Sequence, residues 1–319
     1  MAFRYACFIS YCHGRYDLVK GFIDQLKAAL KAELDPLLAQ VFEQLSTQNA
    51  QVIVSTHSPY FVSGRGFESV RMVRKDRERE AATVFAVSFK ELATTLARVR
   101  GEIVTASALP LRMQQALQPS VNELFFSPVL VLVEGLEDIA YLTTYLMLTE
   151  RCEEYRRLGC NLVQVGGKGQ LLQPAAIALH LKIPTAVVIF DSDAHEDDTQ
   201  RLELHRKENA AILKLFELDA ANPLPNETLW DGPVIMWKSE LGEIVREEFG
   251  NATYTSLIDQ VMSKQKLFSK GSLQKNGMFI GYLPNEAWQS GLRSKSLDMA
   301  CETIIGFARA KSRQYAAAA

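Results

Sequence analysis

The chain has 319 residues, a formal net charge of −2, 48% hydrophobic residues and 23% charged residues, which is an ordinary composition for a globular protein. The near-zero charge balance excludes a protein-wide basic surface, so a nucleic-acid partner must be bound by local patches. Five cysteines without CxxC spacing argue against structural zinc or a disulfide framework and favour a reducing, cytoplasmic location. No apolar run approaches the roughly 20 residues of a membrane span, so no membrane partner is expected.

The amino-terminal third is predicted to contain short strands and amphipathic helices. A strand and a helix are expected in "CFISYCHGRYDLVKGFIDQLKAAL", and a second helix has one apolar face from Leu37 to Leu45. "QVIVS" is predicted to be a short buried strand, and "THSPY" a polar loop at its carboxyl end. Paired strands are predicted in "SVRMVRK" and "ATVFAVS", and a helix in "FKELATTLARVRGEI".

From about Asn122 onward, predicted strands alternate with helices. The strands are "VLVLVEG", "NLVQVGG", "TAVVIFDSDAH" and "PVIMW", and helices are predicted in "LEDIAYLTTYLMLTERC" and "LLQPAAIALHLK". This alternation predicts an α/β fold with a mostly parallel sheet flanked by helices. Functional groups in such sheets gather beyond the carboxyl ends of the strands.

Two acidic pairs follow predicted strands. Glu134 and Asp138 are four residues apart at the first turn of a helix, and Asp191 and Asp193 are two apart in a segment expected to be extended, so that both face one side. Adjacent parallel strands are about 5 Å apart, so the pairs are expected to converge. Carboxylates this close repel one another unless a cation neutralises them, and oxygen ligands favour Mg²⁺, Mn²⁺ or Ca²⁺. Taken singly, each acid fits a solvated strand end equally well.

These motifs resemble a known family. "VLVEGLEDIAYL" followed by "VVIFDSDAH" resembles the TOPRIM domain of topoisomerases, primases and related nucleases. "NELFFSPVLVLVEG" and "VGGKGQL" are similar to the OLD (overcoming lysogenization defect) family of ATP-dependent endonucleases, in which an ABC-type ATPase runs directly into a TOPRIM domain. "QVIVSTHSPYFVSG" resembles the last strand of an ABC/SMC-like ATPase head, with His57 as its nucleotide-sensing switch residue. The resemblance implies a truncated ATPase segment at residues 36–121 and a TOPRIM domain with a helical extension at residues 122–319.

The resemblance also implies site residues and cofactors. It makes Mg²⁺ or Mn²⁺ the expected metal. Glu240 and Glu243, in the later acidic motif, are alternative additional ligands between which the sequence does not choose. The implied metal ligands are Glu134, Asp138, Asp191 and Asp193, and the implied catalytic residues are Glu134, Asp191, Asp193 and Lys295.

Basic residues that meet phosphate are predicted at two places. Lys168, in the glycine-rich "GGKG", is expected to contact phosphate. The segment "SKQKLFSKGSLQK" is rich in lysine and has no acidic residue, so Lys264, Lys266 and Lys270 are candidates for phosphate contact. A flexible loop without that role fits this segment equally well.

The sequence departs from the family at its amino-terminal side. No GxxxxGK[ST] P-loop occurs in the chain, so ATP hydrolysis by this chain alone is not expected. His57 is then vestigial unless a partner chain supplies the nucleotide site. "CFISY" and the following helix resemble the start of a TIR domain, at residues 1–35. The fragment is too short to be a whole TIR domain, and an ordinary strand and helix fits it equally well.

The acidic motifs and the family resemblance together imply a metal-dependent DNA endonuclease or nickase, and the resemblance implies a setting in phage defence or DNA processing. DNA is the expected partner, with a homodimer or a complex with a P-loop-containing ATPase chain as further expectations. The alternative is a catalytically silent TOPRIM and ATPase remnant that regulates by binding DNA or a partner. Topoisomerase or primase chemistry ranks last, because the additional domains that it needs are not evident.

Overall fold

The computed structural model describes residues 35–46, 51–76, 81–266 and 277–317. The TIR-like strand and helix and Lys270 lie outside these ranges. The helices are α1 (residues 35–46), α2 (Phe89–Arg100), α3 (Leu109–Ala116), α4 (Pro119–Asn122), α5 (Leu136–Leu148), α6 (Cys152–Arg157), α7 (Leu172–His180), α8 (Thr199–Leu215), α9 (Leu241–Phe249), α10 (Asn251–Gln265), α11 (Gly277–Gln289) and α12 (Lys295–Ala317). The strands are β1 (Met72–Asp76), β2 (Ala81–Phe85), β3 (Val129–Val133), β4 (Cys160–Gln164), β5 (Thr185–Asp191), β6 (Leu229–Asp231) and β7 (Val234–Trp237).

A five-stranded sheet in the order β4-β3-β5-β7-β6 forms the centre of the fold. Strands β4, β3, β5 and β7 are parallel, and β6 pairs with β7 in the antiparallel direction at one edge. The predicted α/β class with a mostly parallel sheet flanked by helices is confirmed. The sequence analysis missed β6, because three residues are too few for periodicity to reveal a strand.

Alternation along the strands distributes the core between the two faces of the sheet. Leu130, Leu132 and Phe190 point to one face, which α2, α3, α7 and α8 cover. Val131 and Ile189 point to the other face, which α5, α9, α10, α11 and α12 cover. Strands covered on both faces carry continuous apolar runs, and this explains why all five residues of β3 are buried.

Residues before the sheet share its first core. Phe67 and Leu92 belong to the same hydrophobic cluster as Leu130, and Phe67 packs edge-on against Phe89 with ring centroids 4.7 Å apart. The core is thus continuous across the boundary predicted between residues 121 and 122, and that division stays a prediction. The paired strands predicted here are confirmed as β1 and β2, and the following helix as α2.

The prediction of a buried strand in "QVIVS" was wrong. Residues 51–58 have no strand, and Ile53 is 50% exposed. A strand is stable only where a neighbouring strand accepts and donates its backbone hydrogen bonds, and none of the residues that the structure describes pairs with this segment in that way. The predicted helix α1 is present, although Leu37 and Val41 on its apolar face are exposed. Across the described part of the chain, no helix combines the length and apolar character that crossing a membrane requires.

The packing of the segment before β1 against α3 is testable at Gly64. A Cβ added there would lie 2.2 Å from backbone atoms of Met113 and Gln114. Gly64→Ala is therefore expected to lower the free energy of unfolding by about 2 to 3 kcal/mol, measured by urea denaturation. Gly66→Ala is the control, because its Cβ would meet only the Ser63 Oγ at 3.0 Å. Equal stability of the two variants would contradict this packing.

Candidate functional site

Glu134 is held by backbone hydrogen bonds at the carboxyl end of β3. Its N–H donates to the Ile189 carbonyl at 3.1 Å, and its carbonyl accepts from the N–H groups of Gly166 at 3.1 Å and Gly167 at 3.0 Å. The φ angles of these glycines are +80° and +122°, values that side chains with a Cβ rarely adopt. The glycine pair therefore lets the chain after β4 close on Glu134 from the opposite side to β5.

The structure brings Glu134 and Asp191 together. Asp191 ends β5, next to β3, and its N–H donates to Glu134 Oε2 at 3.2 Å. Burial raises the pKa of Asp191 well above its usual range, and repulsion from Asp138 and Glu134 raises it further. Burial also raises the pKa of Glu134, although the Asp191 N–H and the charge of Lys168 act in the opposite direction.

Asp138 lies in the first turn of α5, close enough to Glu134 and Asp191 for their charges to interact. Its Oδ2 accepts from the N–H of the N-cap residue Gly135 at 3.0 Å, as the third residue of a helix does in a capping box. Burial raises its pKa to about 7, with further contributions from the charges of Glu134 and Glu137. The buried Trp237 indole N–H is close enough to lower this pKa slightly, although it completes no hydrogen bond. Asp138 is thus both a helix cap and a member of the acidic group.

Asp193 departs from the extended conformation expected from the sequence. Strand β5 ends at Asp191, and Asp193 has a φ of +52°, a left-handed conformation that aspartate tolerates better than most residues. Its carboxylate forms an ion pair with the Lys168 ammonium, and the His205 Nδ1 lies 3.4 Å from it. The expectation that Asp191 and Asp193 lie in one extended segment was therefore wrong, because the chain leaves the extended conformation at Asp193.

Helix α8 supports this turn through residues that the sequence analysis missed. Asn209 is fully buried, and its amide donates to the carbonyls of Ser192 and Pro223, each at 2.8 Å. His205 is one helical turn earlier on the same face, next to Asp193. Asp198 caps the helix by accepting from Gln200 and Arg201. His205 and Asn209 are four residues apart, so both lie on one face of the helix. This spacing could have indicated that the face packs against polar groups.

A second acidic group lies beside the first. Burial raises the pKa of Glu137, and the charge of Glu240 adds more to this shift than that of Glu243 does. Glu243 forms a salt bridge with Arg246 at 3.0 Å. Glu137 was not among the predicted site residues, because the EGxxD spacing specifies Glu134 and Asp138 and leaves position 137 unspecified.

Other predicted residues lie apart from these contacts. Lys295 is exposed at the start of α12, where Glu248 accepts from the Ser296 N–H at 2.9 Å. Lys264 forms an ion pair with Glu286 at 2.5 Å, and Lys266 is exposed after α10.

Two further predicted residues have contacts within the fold. His57 is exposed and packs edge-on near Phe126, with ring centroids 6.4 Å apart. Lys168 is buried instead of projecting into solvent, so its phosphate contact stays a prediction.

Glu134, Asp138, Asp191 and Asp193 form the acidic group, and their carboxylates are the ligand type that a hard divalent cation prefers. Within the described residues, no three histidine, cysteine, aspartate or glutamate side chains are already arranged to enclose a metal ion. The donors are nevertheless carboxylate oxygens, which Mg²⁺ and Mn²⁺ prefer. Burial and mutual repulsion raise the pKa values of Glu134, Asp138 and Asp191, and a bound cation would relieve that repulsion.

Residues 125–193 match the family model described as the overcoming lysogenization defect protein-like, TOPRIM domain. This segment is therefore similar to the TOPRIM domain of OLD proteins. The chain is also 28% identical over 166 residues to the OLD nuclease of Thermus scotoductus (strain ATCC 700910 / SA-01), a match that covers 52% of this chain and 29% of that protein. The chain thus spans less than a third of that relative's length.

Two solved structures of OLD proteins are similar to the chain. The C-terminal region of the Xanthomonas campestris pv. campestris OLD protein is 15% identical and has a TM-score of 0.39, covering 59% of this chain and 99% of that one. The C-terminal region of the Burkholderia pseudomallei OLD protein is 16% identical and has a TM-score of 0.37, covering 61% and 100%. Glu134, Asp138, Asp191 and Asp193 lie within the matched TOPRIM segment, whereas Glu240 and Lys295 lie beyond it.

The raised pKa of Asp138 predicts how the stability of the fold depends on pH. An unfolded aspartate has a pKa near 3.9, and the folded value is about 7. The stabilisation from protonated Asp138 is therefore complete below about pH 4 and is lost as pH rises through 7. In EDTA, Asp138→Asn is expected to raise the free energy of unfolding at pH 8 by roughly 1 to 4 kcal/mol and to change it little at pH 4.

Chemical denaturation of both proteins between pH 4 and pH 8 measures this difference. Asparagine keeps an oxygen that accepts the Gly135 N–H, so the helix cap is preserved. A difference that is the same at every pH would contradict the role of the buried charge.

Proposed function

We propose that this chain is a divalent-metal-dependent DNA endonuclease or nickase of the OLD TOPRIM type. The contact between Glu134 and Asp191 carries the proposal, because it joins the EGxxD glutamate to the first aspartate of the DxD motif on adjacent strands. The match of residues 125–193 to the OLD-like TOPRIM family supports the same class of reaction. The similarity to a protein named OLD nuclease also supports it.

Glu134, Asp138, Asp191 and Asp193 are the proposed ligands for Mg²⁺ or Mn²⁺. Glu240 is the better candidate for a further ligand than Glu243, because Arg246 already neutralises Glu243. A bound divalent ion would stabilise charge on a phosphodiester and make a water molecule more acidic. Two sets of hydrogen bonds fix the positions of these carboxylates. The backbone of Glu134 makes one set, and the Asn209 amide makes the other by donating to the Ser192 carbonyl.

The proposed DNA contacts come from basic side chains near the carboxyl end of the chain. Lys295 is the proposed catalytic lysine, stabilising negative charge that develops at phosphate. Glu248 accepts from the N–H and hydroxyl groups of Ser296 at 2.9 and 2.8 Å, which fixes the helix end that carries Lys295. Lys264, Lys266 and Lys270 are proposed to contact the DNA backbone.

ATP enters the proposal only through a partner. The chain has no P-loop, so we propose that any nucleotide sensed by His57 is supplied by another chain. A complex with a P-loop-containing ATPase chain would supply that site, whereas a homodimer, the other proposed assembly, would not, because both copies lack the P-loop. The proposed setting is the cytoplasm, in phage defence or DNA processing.

A silent, DNA-binding or partner-binding regulator is the second candidate function. The ion pair between Lys168 and Asp193 favours it, because a positive charge already occupies one carboxylate of the acidic group. Calorimetric titration with Mn²⁺ separates the two functions. Binding stronger than weak surface affinity supports the nuclease, and its absence supports the regulator.

A plasmid-cleavage assay with Mg²⁺ or Mn²⁺, with and without ATP, tests the nuclease function. Asp191→Asn combined with Asp193→Asn is expected to reduce cleavage by at least about 10²-fold, since the change removes two proposed ligands. Asp197→Asn is the control, because Asp197 is an exposed acid in the same loop and should leave cleavage unchanged. Cleavage by the double variant at the wild-type rate would place the activity elsewhere.

Asn209 offers a second test, with Asn122 as its matched control. Both residues are buried, and each amide donates to two backbone carbonyls. Either Asn→Ala change is expected to lower the free energy of unfolding by about 1 to 3 kcal/mol. Only Asn209→Ala should also lower the cleavage rate under conditions where both variants are folded, because only Asn209 holds the turn between Asp191 and Asp193. Equal rates for the two variants would contradict this role.

A further inference from the structure

Lys168 places a positive charge inside the acidic group. Its side chain is 2% exposed, and it begins a short 3-10 turn directly after the glycine pair. The ammonium donates to the Asp191 carbonyl at 2.9 Å and to the Asp193 carboxylate. A buried ammonium is costly unless it is paired and hydrogen-bonded, so these contacts explain how the fold accommodates it.

The charge of Lys168 acts on more than its direct partner. Its charge also attracts the Glu134 carboxylate, which accepts from the Asp191 N–H. Lys168 is thus attracted to the same carboxylates that are proposed to bind the metal.

We propose that Lys168 is a built-in counter-ion that lowers the affinity of the acidic group for divalent cations. In the metal-free protein its ammonium neutralises part of the negative charge. A divalent ion would be repelled by the ammonium. It would also have to compete with the ammonium for the Asp193 carboxylate. This inference rests on the proposed metal-dependent function.

The direction of change on removing the charge decides between two roles for Lys168. A counter-ion opposes the metal, so replacing it with a neutral side chain should strengthen metal binding. A residue that only positions Asp191 and Asp193 aids the metal, so the same replacement should weaken binding. Lys168→Met retains most of the apolar side chain and removes only the charged end.

Calorimetric titration of the full chain with Mn²⁺ at pH 7.5 is the test. Lys168→Met is expected to bind Mn²⁺ at least about tenfold more tightly than the wild type. Its Tm should be lower than that of the wild type in EDTA and should rise more than the wild-type Tm when Mn²⁺ is added. Lys214→Met is the control, because Lys214 is exposed on α8, about 13 Å along the helix from His205, and should bind as the wild type does.

Each outcome has a distinct meaning. Equal or weaker Mn²⁺ binding by Lys168→Met, with normal binding by the wild type, overturns the counter-ion and leaves the proposed function intact. No binding by the wild type overturns both. If Lys168→Met does not fold without metal, Asp193→Asn is compared with the double variant Lys168→Met, Asp193→Asn, in which both partners of the ion pair are neutral. The double variant must then bind more tightly for the proposal to stand.

Discussion

Repulsion among carboxylates at the carboxyl edge of a buried sheet is the constraint on which the site depends. The backbone contact of Glu134 with Asp191 is fixed by the register of β3 and β5. That register is specified in turn by apolar residues alternating between two covered faces, because a slip of one residue would exchange those faces. The hydrophobic core therefore holds the acids together against a charge interaction that opposes their approach.

The surrounding elements each reduce the cost of this arrangement in a different way. Gly166 and Gly167 provide backbone conformations that bring N–H groups onto Glu134. Asn209 fixes the turn after Asp191, and Lys168 supplies a positive charge within it. The backbone and α8 thus fix the positions of the carboxylates, whereas Lys168 reduces the repulsion between them. A divalent ion would reduce this repulsion further, so metal binding is expected to stabilise the fold.

Much of the sheet was predictable from the sequence, because long apolar runs ending in EG and DSD report strand positions directly. The convergence of Glu134 and Asp191 followed from the rule that parallel strands end at one edge. The conformation of Asp193 was not predictable, since a left-handed turn depends on the tertiary contacts of Lys168 and His205. The segment at residues 51–58 shows a related limit: β-branched residues such as Ile53 favour a strand, but only a pairing partner makes one.

The central claim is that Glu134 and Asp191 share a divalent ion. Diffraction data collected at the manganese absorption edge, from crystals of the full chain grown with Mn²⁺, test it most directly. The account predicts an anomalous difference peak in direct contact with carboxylate oxygens of both residues. A fully ordered site without such a peak at saturating Mn²⁺, or a peak bound only by other side chains, would contradict it.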